Sequence, residues 1–244
     1  MKELILSQDR YDGVIIEKSA LELDGSAFES ALQVTLKLLS DKKLMWITLG
    51  IERADLIALL AQNGFEFHHC GAKVLTMVKR LIEDAFIPTS ANHTLGVGAV
   101  VLNDGDLLVI KDRIYQTYKL PGGFIDDDEQ ISQAVIREVL EETGVKVAFE
   151  SVVSLGHFTP AQFGESNLYV VVLAKPLSRD IEIRDTKEII EACWMDVHEY
   201  LKREDVLPYN KAIVHNALAA SKGLRINNDI ALHVKQNTQY ELFF

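Results

Sequence analysis

Residues 123–145 have the sequence GFIDDDEQISQAVIREVLEETGV and form the most informative part of the chain. This stretch holds seven carboxylates and a single arginine, Arg137, within a length that suits one helix and its flanking turns. Such a concentration of negative charge is unfavourable unless the side chains stay in water or hold cations. The stretch is therefore the first place to look for a metal site.

The middle of this stretch predicts an amphipathic helix. Asp127 or Asp128 is expected to cap its N-terminus, where negative charge is favourable. Gly144 stands where the chain must turn away from the end of the helix. Apolar residues recur every four positions and share the face that packs on a sheet: Ile131, Val135 and Val139.

A second face of the helix carries Glu138, Glu141 and Glu142. Their i, i+3 and i+4 spacing predicts that the three carboxylates converge. Converging carboxylates repel one another unless a hard cation neutralises them, and oxygen ligands favour Mg²⁺ or Mn²⁺ over zinc. Arg137 directly precedes the first glutamate and can hold one carboxylate in a fixed orientation.

The loop before the helix, residues 120–123, is Leu-Pro-Gly-Gly. Because its glycines carry no side chain, backbone amides and carbonyls can approach a phosphate or a metal closely. A metal site facing a phosphate site is suited to metal-assisted hydrolysis of a phosphoanhydride. The simpler interpretation is a solvated acidic helix face, as most charge runs are, but it does not explain the glycines and the arginine.

The same stretch resembles the Nudix box, G-x5-E-x7-R-E-U-x-E-E-x-G-U, where U is an aliphatic residue. It agrees at all nine specified positions over 23 residues. The matching residues are Gly123, Glu129, Arg137, Glu138, Val139, Glu141, Glu142, Gly144 and Val145. The resemblance implies a Nudix α/β/α sandwich with a mixed sheet, and hydrolysis of a nucleoside diphosphate linked to another moiety.

The resemblance also implies roles for individual residues. Arg137 would orient a glutamate, and Glu129 would be more structural than catalytic. The base for the attacking water would be Glu138 or a glutamate from a later loop, for which Glu188 is preferred over Glu165 and Glu191. The implied ligands of the divalent cation are Gly123, through its carbonyl, Glu138, Glu141 and Glu142.

The substrate is less well defined by the sequence. The Nudix resemblance implies ADP-ribose or a related dinucleotide such as NADH as the substrate. Pro160 lies fifteen residues after Val145, near a proline of Nudix enzymes that cleave ADP-ribose, although a single loop proline is more often a turn residue. The Ser-Gln-Pro-Trp-Pro-Phe-Pro-type run of dedicated NADH pyrophosphatases is absent. The alternative is a catalytically weak nucleotide-binding regulator on a Nudix scaffold. Tyr169 could stack on a base or simply pack. The expected substrate contacts are Lys119, Gly122, Phe158 and Phe163.

Bulk properties limit the partners. With a net charge of −11 the chain is not expected to bind nucleic acid, which requires clustered basic residues. No apolar run approaches the roughly 20 residues that span a bilayer, so no membrane partner is expected. The chain has only two cysteines, Cys70 and Cys193, which favours a reduced, cytoplasmic location. A homodimer is implied by the resemblance to ADP-ribose-type Nudix enzymes.

The polar connector around residues 86–93 predicts two domains, an α/β domain over 1–92 and the Nudix domain over 93–244. The chain resembles the Nudix subgroup of the protein encoded antisense to basic fibroblast growth factor and of plant ADP-ribose and NADH pyrophosphatases. That resemblance implies an acetyltransferase-like first domain. Hydrophobic periodicity predicts helices over 29–39, 53–63 and 209–222, and strands over 44–49, 65–69, 74–78, 96–102, 107–110, within 151–174, and over 189–195.

Aromatic residues of the first domain have a structural interpretation. Trp46, Phe65 and Phe67 are expected in its core. His68 and His69 are adjacent on a predicted strand, so their side chains should point to opposite faces and should not share a metal. A structural or interface role is therefore expected for the two histidines.

Overall fold

The computed structural model describes residues 3–39, 41–161, 164–219 and 223–224. The chain divides into two compact units, Met1–Ala91 and Asn92–Phe244. Within the described residues no helix is both long and apolar enough to cross a membrane.

The first unit is a five-stranded sheet with helices. Its helices and strands are β1 Leu6–Gln8, β2 Val14–Ile16, α1 Gly25–Leu38, β3 Leu44–Gly50, α2 Ile57–Gln62, β4 Glu66–Cys70 and β5 Val74–Arg80. The strands lie in the spatial order β1-β2-β3-β5-β4, and two 3₁₀ turns, Lys18–Glu22 and Ile51–Leu56, complete the unit. The core lies between α1 and the sheet, where Phe28, Leu32 and Ile47 are fully buried.

Both helices of this unit differ from their predicted bounds. The first begins at Gly25 instead of residue 29, because Asp24 caps it by accepting a 2.8 Å hydrogen bond from the backbone N–H of Ala27. The helix predicted over 53–63 is a 3₁₀ turn followed by the short α2, since Arg53 has non-helical backbone angles (φ −116°, ψ 25°).

Strand β4 corrects two sequence predictions. Phe67 is 68% exposed and so is not a core residue, whereas Phe65 is buried as expected and Trp46 packs at the edge of a smaller cluster. The strand register shifts between Phe67 and His69. This β-bulge brings the Nδ1 atoms of His68 and His69 to 2.6 Å, so the two rings do not point to opposite faces.

The second unit contains a seven-stranded mixed sheet. Its elements are β6 His93–Asn103, β7 Asp106–Asp112, β8 Tyr118–Lys119, β9 Gly122–Phe124, α3 Ile131–Thr143, β10 Val147–Phe158, β11 Ser166–Pro176, β12 Ile189–Asp196, α4 Val197–Lys202 and α5 Pro208–Ala219. Five strands follow the order β10-β11-β6-β7-β12; the remaining two are β8, which pairs with β7, and β9, which pairs with β6. Strands β6 and β11 are parallel and the other pairs are antiparallel.

Helices cover both faces of this sheet. Alternate residues of β6 point to opposite sides, so Val97 and Val101 pack with α3, whereas Val100 packs with α4 and α5. The predicted α/β/α sandwich with a mixed sheet is confirmed. The sequence Asn103-Asp104-Gly105-Asp106, typical of a hairpin turn, joins β6 to β7 as a type I′ turn, because Asp104 (φ 53°) and Gly105 (φ 93°) both adopt left-handed angles.

Candidate active site

Helix α3 is fixed by the apolar face that the sequence predicts. Val135 and Val139 are fully buried against the sheet. At the C-terminus Gly144 has φ 77°, and its N–H donates to the carbonyl of Leu140 at 2.9 Å. The predicted aspartate cap is wrong: the cap is Gln130, in a capping box with Gln133, so the helix begins beyond the aspartates.

Glu142 is the most deeply buried carboxylate of the helix, with 4% of its surface exposed. Its Oε2 accepts a 2.6 Å hydrogen bond from the backbone N–H of Gly122. The pKa of Glu142 is raised to about 8, chiefly by burial; Glu138 and Glu188 add to the rise, and the Gly122 N–H and Lys119 oppose it. A carboxylate in this state is stabilised by any cation placed beside it.

Arg137 ties several carboxylates of the stretch together. Its Nε and Nη2 each donate to Glu129 at 2.8 Å, while Nη1 donates to Glu138 at 2.8 Å and to Glu141 at 3.2 Å. Arg137 therefore holds the pKa of Glu129 below its ordinary value. Burial raises the pKa of Glu138, and Arg137 partly opposes this rise. The guanidinium thus fixes the orientation of Glu138 beside the glycine loop.

At both glycines of the loop, neighbouring atoms lie very close to the position that a Cβ atom would occupy. A Cβ on Gly123 would lie 2.7 Å from Oε1 of Glu138, so a side chain there would displace the Glu138 carboxylate. Gly122 has φ 149°, and a Cβ on it would lie 2.6 Å from the Cα of Gly98. Loop and helix are thereby packed so that backbone groups, rather than side chains, face the carboxylates.

A cavity of about 580 Å³ collects most of the predicted site residues. Glu142 lies directly behind it, against Gly122. Glu141 and Arg137 border a different cavity, formed with residues 184–187. Phe163 lies outside the described residues. The predicted residues that line the first cavity are Lys119, Gly122, Gly123, Glu138, Phe158 and Glu188.

The carboxylates do not form one three-membered group. Within the part of the chain that the structure describes, no three acidic, histidine or cysteine side chains are arranged as a metal-binding cluster. Glu138 and Glu142 lie beside the glycine loop, whereas Glu141 is half exposed and contacts Arg137. The assignment of all three as metal ligands stays a prediction.

Sequence reasoning did not single out Asp112, and it left Tyr169 between two roles. The ring of Tyr169 packs across β6, where a Cβ on Gly96 would lie 2.7 Å from Cδ2 and a Cβ on Gly98 would lie 2.5 Å from the hydroxyl. The alternation Gly-Val-Gly at 96–98 could have indicated a large ring on that face. Asp112 is buried and forms an ion pair with Nζ of Lys119 at 3.1 Å. No local pattern in the sequence indicates this contact.

Comparison with known families identifies this arrangement. The NUDIX domain profile matches residues 92–216, and a Nudix hydrolase domain profile matches residues 4–81. The chain belongs to the Nudix family. The glycine loop and the acidic helix of this unit are thus a Nudix box, in which the ion pair between Arg137 and Glu129 joins the helix to the segment that precedes it.

Two relatives and one solved structure illustrate the similarity of this Nudix protein. It is 36% identical to Nudix hydrolase 8 of Arabidopsis thaliana, over 80% of this chain and 55% of the relative, so it spans about half of that protein. It is 31% identical to the human protein nucleoside diphosphate-linked moiety X motif 6, over 84% of this chain and 69% of the relative. A NUDIX hydrolase from Nitrosomonas europaea superposes with a TM-score of 0.47 at 25% identity, covering 52% of this chain and 88% of that chain.

Proposed function

We propose that the protein hydrolyses the diphosphate linkage of ADP-ribose, or of a related dinucleotide such as NADH, with Mg²⁺ or Mn²⁺ as the cofactor. One observation carries this proposal: Glu142 is buried and accepts a hydrogen bond from the N–H of Gly122 in the glycine loop. The neighbouring cavity is lined by Glu138, Lys119 and Glu188. Buried carboxylates beside a side-chain-free loop suit a cation and a phosphate together.

The donor set fits a hard divalent cation. Glu138 and Glu142 are both largely buried, and burial raises the pKa of both, so the ionised pair is costly without a positive charge nearby. Only oxygen atoms are offered, which favours Mg²⁺ or Mn²⁺. The residues that would hold the ion are Gly123, Glu138, Glu141 and Glu142. When bound, the ion neutralises diphosphate oxygens and lowers the pKa of water.

The remaining groups position the reactants. Arg137 holds Glu138, and the N–H of Gly122 holds Glu142, so both carboxylates keep one orientation. Lys119 places its ammonium on the cavity wall, where a diphosphate oxygen can accept from it. The proton of the attacking water passes to Glu188 or to Glu138. The carboxylate of Glu188 lies 4.0 Å from Nζ of Lys119. The water oxygen bonds to one phosphorus, the bridging P–O bond breaks, and ADP-ribose yields AMP and ribose 5-phosphate.

The choice of substrate is supported by similarity and by the cavity walls. The name of the human relative specifies a nucleoside diphosphate-linked moiety. Pro160 lies fifteen residues after the box, near where Nudix enzymes that cleave ADP-ribose carry a proline. Phe158 lies on the wall beside Glu188 and Lys119, where its ring can contact an apolar part of the substrate. These features favour a compact nucleoside diphosphate derivative.

A hydrolysis screen tests the proposed function. Purified full-length protein is incubated with ADP-ribose, NADH, NAD⁺, coenzyme A, diadenosine polyphosphates or oxidised deoxynucleoside triphosphates, with Mg²⁺, with Mn²⁺ or with EDTA, and the products are separated by chromatography. We expect AMP from ADP-ribose or NADH only when the cation is present. Glu138→Gln should lose this activity, and the exposed Glu150→Gln in the same unit should keep it.

Two results would overturn the proposal. Preferred turnover of coenzyme A or a nucleoside triphosphate would replace the substrate class while keeping the reaction. No turnover of any compound, together with measurable binding of ADP-ribose, would favour the nucleotide-binding regulator.

A further inference from the structure

The ammonium of Lys119 lies between two carboxylates that have different surroundings. Its Nζ is 3.1 Å from Oδ2 of Asp112 and 4.0 Å from Oε1 of Glu188. Lys119 and Glu188 line the cavity of the candidate active site, whereas Asp112 is not one of its wall residues and is 3% exposed. The charge of Lys119 also acts on Glu142, whose pKa it helps to lower against the effect of burial. One ammonium is thus within electrostatic reach of a buried carboxylate outside the cavity and of the carboxylates proposed to hold the cation.

The pairing of β7 with β8 brings Asp112 to Lys119. Ile110 of β7 lies directly opposite Lys119 of β8. Asp112 is two residues beyond Ile110, so it shares a face of the sheet with Lys119 and lies diagonal to it, a distance that a lysine side chain spans. The contact is therefore a consequence of the strand register.

The two oxygen atoms of the Asp112 carboxylate have separate partners. Oδ1 accepts hydrogen bonds from the N–H groups of Ile114 at 2.9 Å and Tyr115 at 2.7 Å, and Oδ2 pairs with Lys119. Burial acts to raise the pKa of Asp112, but these N–H groups and the ammonium outweigh it, so the pKa lies below its ordinary value. Asp112 is thus an ionised, buried anion that compensates the charge of Lys119.

Without Asp112, the ammonium would have other carboxylates to pair with. The stem of a lysine is long and flexible, and Glu138 and Glu188 line the same cavity as Lys119. An ammonium paired with these carboxylates would neutralise them and would repel a divalent cation. The ion pair with Asp112 keeps the ammonium from that position.

We propose that Asp112 is a positioning residue that prevents Lys119 from pairing with the cation-binding carboxylates, an inference that rests on the function proposed above. Lysine has three N–H donors, so an ammonium held by Asp112 still has donors for a diphosphate oxygen. Asp112 acts through Lys119: it leaves the acidic side chains to the cation and keeps the ammonium for the substrate.

Asp112→Asn removes this link and keeps the other contacts of the side chain. An amide oxygen in place of Oδ1 still accepts from Ile114 and Tyr115, whereas an NH₂ group in place of Oδ2 cannot accept from an ammonium. Mn²⁺ is titrated calorimetrically into the full chain, without nucleotide, for the parent, Asp112→Asn, Lys119→Met and the double variant.

The four affinities form a double-mutant cycle. We expect Asp112→Asn to weaken Mn²⁺ binding by about tenfold, within the usual range of coupling between contacting residues. Lys119→Met should bind Mn²⁺ at least as tightly as the parent, and the double variant should match Lys119→Met, because the competing ammonium is gone from both. High Mg²⁺ should restore the rate of ADP-ribose hydrolysis by Asp112→Asn towards that of the parent.

Asp106→Asn is the matched control. Asp106 lies on the same strand as Asp112 and pairs with Arg179 at 3.1 Å, so this change also removes a carboxylate and an ion pair from β7. Its Mn²⁺ affinity should equal that of the parent.

Three results would overturn the proposal. They are no Mn²⁺ binding by the parent, equal Mn²⁺ affinities of the parent and Asp112→Asn, and an equal loss from Asp112→Asn with and without Lys119, which would leave Asp112 a purely structural role. If Asp112→Asn does not fold, Lys119→Met decides, since weaker Mn²⁺ binding than in the parent would mean that the ammonium does not compete with the cation. Affinities that follow the expected cycle without hydrolysis of ADP-ribose would reject the proposed function and retain the role of Asp112.

Discussion

At the scale of single residues, the site depends on carboxylates that are unfavourable where they stand. Glu142 is buried beside Glu138, and among the described residues its carboxylate accepts one hydrogen bond, from the N–H of Gly122. Burial without a full set of partners penalises the charged form. Glu142 therefore lowers the stability of the metal-free protein, and the same carboxylate is available to bind a cation.

Glu142→Gln should stabilise the metal-free protein at alkaline pH. The pKa of Glu142 is about 8 in the folded state against an ordinary 4.5, so between these values the folded state retains a proton that the unfolded chain has lost. Stability accordingly falls as pH rises through this window. In EDTA at pH 8 the variant should unfold roughly 5 °C above the parent, a difference on the order of 2 kcal/mol.

Thermal unfolding at pH 5 and pH 8 checks this expectation. The gain should shrink at pH 5, because this pH lies only just above the ordinary pKa of 4.5, where the difference in stability has only begun to build up. The exposed Glu150→Gln should show no comparable gain at either pH. A variant that is less stable than the parent at pH 8 in EDTA would mean that Glu142 is ionised and well compensated.

At the scale of elements, helix α3 is held in place at both ends. The capping box at Gln130 starts it, and the left-handed Gly144 ends it. Because Arg137 and the box glutamates lie between these ends, displacement of either terminus would move the carboxylates relative to the glycine loop. The ends of the helix are thus as important to the site as its charged face.

Gly144→Ala should destabilise the protein more than Gly105→Ala does. Both glycines have positive φ, which costs an alanine about 1 kcal/mol. A Cβ on Gly144 would also lie 2.5 Å from the carbonyl oxygen of Glu182, whereas a Cβ on Gly105 meets nothing within 4 Å. We expect chemical denaturation to give a loss at least about 1 kcal/mol larger for Gly144→Ala. Equal losses would show that the segment around Glu182 yields freely.

Local patterns predicted the elements that depend on local chemistry. The apolar stripe of α3, the Gly144 turn and the Asp104–Gly105 hairpin follow from spacing and backbone preference, and all are confirmed. The helix predicted over 53–63 is confirmed for Ile57–Gln62 but not for its first turn, because periodicity did not reveal the non-helical angles of Arg53. Phe67 was misplaced because composition does not show which face of an edge strand is covered.

The candidate site was only partly predictable for the same reason. The box residues are neighbours in sequence, so their spacing predicts a common helix face. A cavity of about 420 Å³ in the second unit brings Tyr115, Phe158 and Tyr209 together from separate segments, and no local sequence pattern links them. The ion pair of Asp112 with Lys119 likewise depends on the pairing of β7 with β8.

At the scale of the whole molecule, the two units have separate hydrophobic cores. Every described residue of the candidate site lies in the second unit. Damage to the first core should therefore affect stability without changing the chemistry, as long as the protein remains folded.

Leu32→Ala tests this separation. Leu32 is fully buried in the first core, so its truncation should reduce the stability of that unit by about 2–5 kcal/mol. At 20 °C the kcat of Leu32→Ala for ADP-ribose should equal the kcat of the parent. The control variant Glu29→Ala, which changes an exposed residue of the same helix, should also keep the parental kcat. A large fall in kcat with calorimetry still showing folded protein would assign the first unit a part in catalysis.

The central claim is that the buried carboxylate of Glu142 serves cation-dependent cleavage of a nucleoside diphosphate derivative. The most direct measurement is the initial rate of ADP-ribose hydrolysis against Mg²⁺ concentration for the parent, Glu142→Gln and Glu150→Gln. We predict a fall of roughly a hundredfold or more for Glu142→Gln at every Mg²⁺ concentration, with the rate of Glu150→Gln unchanged. A Glu142→Gln variant with the parental rate and the parental Mg²⁺ dependence would contradict this claim.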